Sequence, residues 1–355
     1  MSAEYSAIAA KMRAMYANAL KDEDFNQLAE KKSVSEICNA LKSEKGYEEI
    51  LEEIDENDAH RGQMEFLLSK ALYDDILKIQ DFLGNSHKDI VDFFFMRREI
   101  EFLKREMHYI FTHEDRDLRS MREAKLTRYE EFFNRHTKID AAILKNATSL
   151  EGCIDACKDT QYADTLTRAL NLKADYFMLG MMLDDYYYQR FWRVINSKIP
   201  SSERGGFLRL IGSDIDMLNM MWIYRGKKYF NFGNELIFAY LLPVRYRLTE
   251  EMTRRLVNAD SIETFLNIAA QTPYPELFKL EDDESFIESN YYRAGEKIAR
   301  SIFSMQTQSL AAVYAYVSLR QNEIIKLTTV IEGVRYGLTP DKIKRFIGTD
   351  EKGVE

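Results

Sequence analysis

The sequence predicts an all-α fold made of three similar helical repeats. Three observations lead there. Only 15 Gly and 5 Pro occur in 355 residues, whereas an all-β chain needs turn formers at intervals of about ten residues. Apolar residues recur at helical spacing over long stretches. One local pattern also returns twice: Tyr47, Tyr162 and Tyr274 open similar short runs, at offsets of 115 and 112 residues.

In chain order, Ser33…Glu36, Thr148…Glu151 and Asp260…Glu263 read as capping boxes. In each, an oxygen-bearing side chain stands three residues before a glutamate, so free amides at a helix start are satisfied from both ends. Each tyrosine follows its glutamate by eleven residues. Continuous amphipathic helices are expected over Met64–Leu83, Leu118–Ile143 (charged, with a thinner apolar stripe), Phe177–Ile195, Phe207–Tyr224 and Phe303–Val334. Pro200, Gly205–Gly206, Asn231–Gly233 and Pro273/Pro275 mark turns between them.

A second anchor recurs within these helices. Glu101 and Lys104, Asp216 and Asn219, and Glu323 and Lys326 each place an acid three residues before a polar group, on one helical face. The second copy ends in Arg225, Lys227, Lys228 and Tyr229, and the third in Arg335 and Tyr336. The first copy lacks that basic–aromatic ending. These residues are candidates either for partner contact or for holding each repeat together. The copies run approximately over residues 1–116, 117–230 and 231–355. No low-complexity linker separates them, so they are expected to stack as one body.

Composition excludes several classes. The net charge of −9 argues against a nucleic-acid binder, which needs a basic face. No apolar stretch reaches the length of a bilayer span, and the N-terminus carries no basic, then apolar leader pattern, so a cytoplasmic chain is expected. Cys38, Cys153 and Cys157 fit a reducing compartment and lack the second ligand pair of a zinc site.

No phosphate loop, nucleophile elbow, His-Glu-x-x-His or Glu-x-x-His motif occurs, so no catalytic residue, cofactor or metal is assigned. The five histidines, His60, His87, His108, His113 and His136, read as surface or cap residues. The enzymatic alternative is a magnesium-dependent, all-helical prenyl-transferring or terpene-type enzyme, which binds diphosphate through an Asp-Asp-x-x-Asp cluster. Asp74–Asp75 and Asp184–Asp185 begin such clusters, but Lys78 and Tyr188 stand where the third acid belongs. Asn57–Asp58 with Glu65 imitates a second magnesium motif, with Arg61 in place of its hydroxyl. The methionine and aromatic runs Met178–Met182, Tyr186–Tyr188 and Met217–Trp222 read as packing surfaces.

The final segment, from Leu319-Arg-Gln-Asn-Glu to Arg335-Tyr-Gly-Leu-Thr-Pro340, resembles the C-terminal signature of the C (AC39-like) subunit of V/A-type ATPases, called the d subunit in eukaryotic enzymes. Asp214–Tyr229 resembles that family's middle repeat, Ala259–Tyr274 matches its pattern, and Tyr5–Met15 fits its opening helix. The resemblance spans roughly Tyr5 to Gly348. It implies a funnel-shaped, all-helical body of three similar domains without a nucleotide site. Such a protein joins central-stalk subunits (D/F type) to the membrane proteolipid ring and serves proton or sodium transport. It is present as one copy per complex, peripheral on the cytoplasmic face of the membrane.

Overall fold

A computed structural model describes residues 3–350 apart from 45, 53, 56–58, 60, 84–86, 113–136, 280–285 and 307. Most of the expected helix over Leu118–Ile143 lies outside the described residues, as do His60, His113, His136 and the Asn57–Asp58 pair. Among the described residues the secondary structure is helical, with no strand. No described helix is long and apolar enough to cross a membrane. The chain forms two compact units, Met1–Lys88 with Val194–Glu355, and Asp89–Arg193.

The first unit opens with α1 (Ala3–Tyr16), α2 (Asp22–Ala29), α3 (Val34–Lys42), α4 (Glu48–Leu51) and α5 (Arg61–Leu83). Ser33 caps α3 by accepting the Glu36 amide at 3.1 Å, as its sequence signature requires. Along α5 the buried set Met64, Leu67, Leu68, Leu72, Ile76, Ile79 and Leu83 follows the helical period.

The second unit holds α6 (Lys88–Thr112), α7 (Ala141–Asn146), α8 (Leu150–Ala156) and α9 (Ala163–Asn171). Most of α10 (Tyr176–Lys198) belongs to it as well. Phe93 stacks on Phe191 with ring centroids 4.2 Å apart, and Tyr187 meets both edge-on. Cys153 and Cys157 are buried in α8 and at its end. Burial pushes the Cys157 thiol up to about 12, so it behaves as a small apolar group.

The chain re-enters the first unit through α11 (Ser201–Phe207), a π-helical turn (Leu208–Gly212) and α12 (Ser213–Lys228). Then follow α13 (Asn234–Tyr240), α14 (Glu250–Asn258), α15 (Ile262–Ala269) and a 3₁₀ turn (Pro275–Phe278). The unit closes with α16 (Phe286–Met305), α17 (Leu310–Arg335) and α18 (Pro340–Ile347). The last long helix, α17, packs on α1, α2, α3 and α5, so the two ends of the chain share one core. Met217, Met220, Met221, Ile223 and Tyr224 enter a second buried cluster with Phe265, Tyr274, Leu277 and Phe278.

Several expectations are corrected. The caps of α8 and α15 are Ser149 and Ser261, which accept the amides of Gly152 and Thr264. Thr148 and Asp260 stand one residue too early to reach them. The helix expected over Phe303–Val334 breaks between Met305 and Leu310, because Ser309 takes an extended backbone and caps α17 through the Ala312 amide. Gly205–Gly206 is not a turn but lies inside α11. A Cβ at Gly206 would stand 2.6 Å from the Ala311 Cβ, so the glycine permits helix-to-helix approach.

Gly206→Ala therefore lowers stability by about 1–3 kcal/mol through overpacking, although alanine is the better helix former. Gly205→Ala, whose Cβ meets nothing within 4 Å, raises stability by up to about 1 kcal/mol. Thermal melts of the two variants check the contrast.

Candidate partner-contact site

Each of the three recurring tyrosines is buried and donates its hydroxyl to a carboxylate on a long helix. Tyr47 reaches Glu323 Oε1 at 2.6 Å, Tyr274 reaches Asp216 Oδ2 at 2.8 Å, and Tyr162 donates to Glu99. Burial and the adjacent carboxylate hold all three phenols above their usual range, so they remain donors. Each carboxylate also ties down the chain just before a short helix. Glu323 accepts the Leu20 amide at 2.9 Å, ahead of α2. Asp216 accepts the amides of Tyr246, Arg247 and Leu248 at 3.1, 2.6 and 2.8 Å, ahead of α14. Glu99 accepts from Thr137 Oγ1, whose oxygen in turn takes the Ile139 amide at 3.2 Å, ahead of α7.

The sequence-derived candidates fall into two groups. Asp216, Asn219, Glu323 and Lys326 are buried or half-buried and serve internal contacts. Asn219 trades two hydrogen bonds with the Leu242 backbone, at 3.2 and 2.9 Å. Lys326 Nζ lies 2.9 Å from Glu296 and 3.6 Å from Asp22. In the first copy the acid that meets a tyrosine is Glu99, whereas Glu101 pairs with Arg97 and Arg98 on its own helix. Two residues along a helix turn a side chain by about 200°, so the acid-to-polar spacing selects the wrong face there. Lys104 is held by Asp184 at 2.5 Å.

The basic–aromatic helix ends form the second group. Arg225 pairs with Glu288, and Lys227 Nζ donates to the Ala259 carbonyl at 2.8 Å. Lys228 and Arg335 are exposed, and Tyr229 and Tyr336 are 59% and 65% exposed. The Arg335 guanidinium lies 5.3 Å from the Tyr336 ring centroid.

Sequence reasoning missed the pairing of Asp75 with Arg320. Arg320 Nε meets Asp75 Oδ2 at 3.2 Å, and its Nη1 donates to Glu323. Burial opposes the arginine's charge, but the Glu323 and Asp75 carboxylates outweigh it and raise its affinity for the proton. The acids of the aborted magnesium motifs are thus engaged elsewhere: Asp75 by Arg320, Asp184 by Lys104, and Asp185 by Gln189 at 2.7 Å. Among the described residues no group of three His, Cys, Asp or Glu side chains is placed to hold a metal ion.

A family model described as ATP synthase (C/AC39) subunit matches residues 8–346. The chain belongs to that family. Relatives named as the C subunit of an A-type ATP synthase include one from Thermococcus kodakarensis, 24% identical over 97% of this chain and 90% of its own length. Another, from Pyrococcus abyssi, is 23% identical with the same coverage, and one from Methanosphaera stadtmanae is 22% identical over 95% and 86%. The C/AC39 family is a structural subunit of the ATP synthase rather than its catalytic one, which agrees with carboxylates that are engaged in packing.

Asp216→Ala leaves three backbone amides and the Tyr274 hydroxyl without an acceptor, and Tyr274→Phe removes one donor. With about 1–3 kcal/mol for each group denied its partner, guanidinium titration should show the first variant losing several times more stability than the second. Glu296 supplies a pH test. Burial pushes its carboxyl up, but Lys326 and Arg300 pull it down further, so it sits below the usual carboxylate range. A depressed carboxylate stabilises the fold above its unfolded pKa and loses that contribution as pH falls through the folded one. Glu296→Gln is therefore expected to flatten the stability profile below about pH 5, measured by thermal melts against pH.

Proposed function

We propose that this chain is the non-catalytic central-stalk subunit of a V/A-type rotary ATPase. In this reading it joins stalk subunits of the D/F type to the membrane proteolipid ring and passes torque between them during proton or sodium transport. It acts as one copy per complex, peripheral on the cytoplasmic face of the membrane. The observation that carries the proposal is the family match over residues 8–346, which spans almost the whole chain.

The recurring clamp supports a body of three similar helical copies, funnel-shaped as the family resemblance implies, with boundaries near residues 116 and 230. Tyr162 of the second copy is clamped to α6 of the first, and Tyr274 of the third to α12 of the second. Tyr47 of the first copy returns to α17 of the third. In this reading each copy supplies the tyrosine that clamps a carboxylate of another. A part that transmits torque needs stiffness, and buried, charge-assisted hydrogen bonds provide it.

Purification of the tagged chain from gently solubilised membranes of its host should recover an ATP-hydrolysing complex that contains a proteolipid ring. The chain alone should show no ATP turnover. A wild-type eluate free of ATPase subunits would sink the proposal.

A further inference from the structure

The two basic–aromatic helix ends are each followed by a short helix, and those helices differ in what they show to solvent. Ile237 of α13 seats on Gly226, and Ile343 of α18 seats on Gly333. A Cβ at either glycine would lie 3.3 or 2.6 Å from the isoleucine Cγ1. Both glycines stand three residues before the exposed tyrosine, Tyr229 or Tyr336. The isoleucines therefore align the two helices residue by residue. Leu236 then corresponds to Lys342, and Phe238 to Lys344.

This correspondence separates fold from function. Lys344 reaches Glu30 at 2.5 Å, and the Lys342 ammonium lies over the Phe346 ring at 5.8 Å. Lysine thus satisfies both positions in α18. In α13 the same positions carry Leu and Phe, each 38% exposed. The helix is seated by the buried Ile237 and by Asn234, which bonds Lys227 and Asn258 at 3.2 Å each. Phe230, itself exposed, stacks on Phe232 with centroids 5.3 Å apart, and Phe232 lies with Ile237 over Gly226. The flanking charge is positive on balance. Between residues 227 and 250 stand Lys227, Lys228, Arg245 and Arg247 against Glu235 and Glu250, the latter paired with Arg245 at 3.1 Å, in a chain whose net charge is −9.

We propose that α13 with Phe230 is a docking surface for another subunit of the same ATP synthase, through a segment that combines an apolar face with carboxylates. The proposal rests on the reading of this chain as an ATPase subunit. Charge argues for the acidic partner: a second copy docked symmetrically would set one cationic cluster against another.

The test compares the intact chain with Leu236→Lys/Phe238→Lys, which installs what α18 already holds, and with Met305→Lys, an exposed apolar position elsewhere. Circular dichroism and melting temperature should match in all three. ATPase subunits recovered from host membranes per tagged chain should fall by about tenfold in the double variant, as expected for loss of an apolar anchor. They should be unchanged for Met305→Lys. Arg245→Glu/Arg247→Glu should also lower recovery, and more so at low salt. Equal recovery from the double variant and the wild type overturns the surface while leaving the proposed function intact. So does a loss confined to self-association in sedimentation, or to flotation with phosphatidylglycerol vesicles. A wild-type eluate without ATPase subunits overturns both.

Discussion

A carboxylate buried in a helical core must find donors, and in this chain the donors come from far along the sequence. Glu323 is 6% exposed and sits on the last long helix. Its oxygens are filled by the Leu20 amide, the Tyr47 hydroxyl and the Arg320 guanidinium. The first two belong to residues 303 and 276 positions earlier. Removing Arg320 would strand the Glu323 charge at low dielectric, where Coulomb energies are several times those in water. The first helices therefore fold against α17, where the α5 stripe and the Asp75–Arg320 pair meet it.

The other two clamps solve the same problem with different donors. Asp216 is solvated by three successive backbone amides, which also shape the loop that precedes α14. Glu99 relies on the hydroxyls of Thr137 and Tyr162, and burial raises its carboxyl above the ordinary range despite them. An arginine, a nest of amides and a pair of hydroxyls are three ways to hold one tyrosine–carboxylate contact. The geometry recurs while the compensation varies.

Glycine does comparable work at the helix ends. Gly226 and Gly333 let an isoleucine approach the backbone, which fixes the short helix that follows. Gly206 does the same between α11 and Ala311. With these seats set, the outer faces of α13 and α18 are free to diverge. One carries lysines that meet Glu30 and Phe346, and the other carries Leu236 and Phe238, each 38% exposed.

Much of this was legible in the residues. Helical class follows from 3.6-residue periodicity and scarce turn formers, because both act locally. The recurrence of Tyr47, Tyr162 and Tyr274 was visible because a repeated contact preserves residue type and spacing. What escaped was everything set by rotation about a helix axis or by a distant partner. Spacing pointed to Glu101, yet Glu99 faces the tyrosine, and the serine caps lay one residue beyond those expected. Gly205–Gly206 looked like a turn because the approach of Ala311 leaves no mark nearby in the sequence. Local pattern thus determined which elements form and which side chains recur. Only tertiary structure decided which carboxylate each tyrosine meets, since donors and acceptors 58, 63 and 276 residues apart are matched by packing and not by spacing.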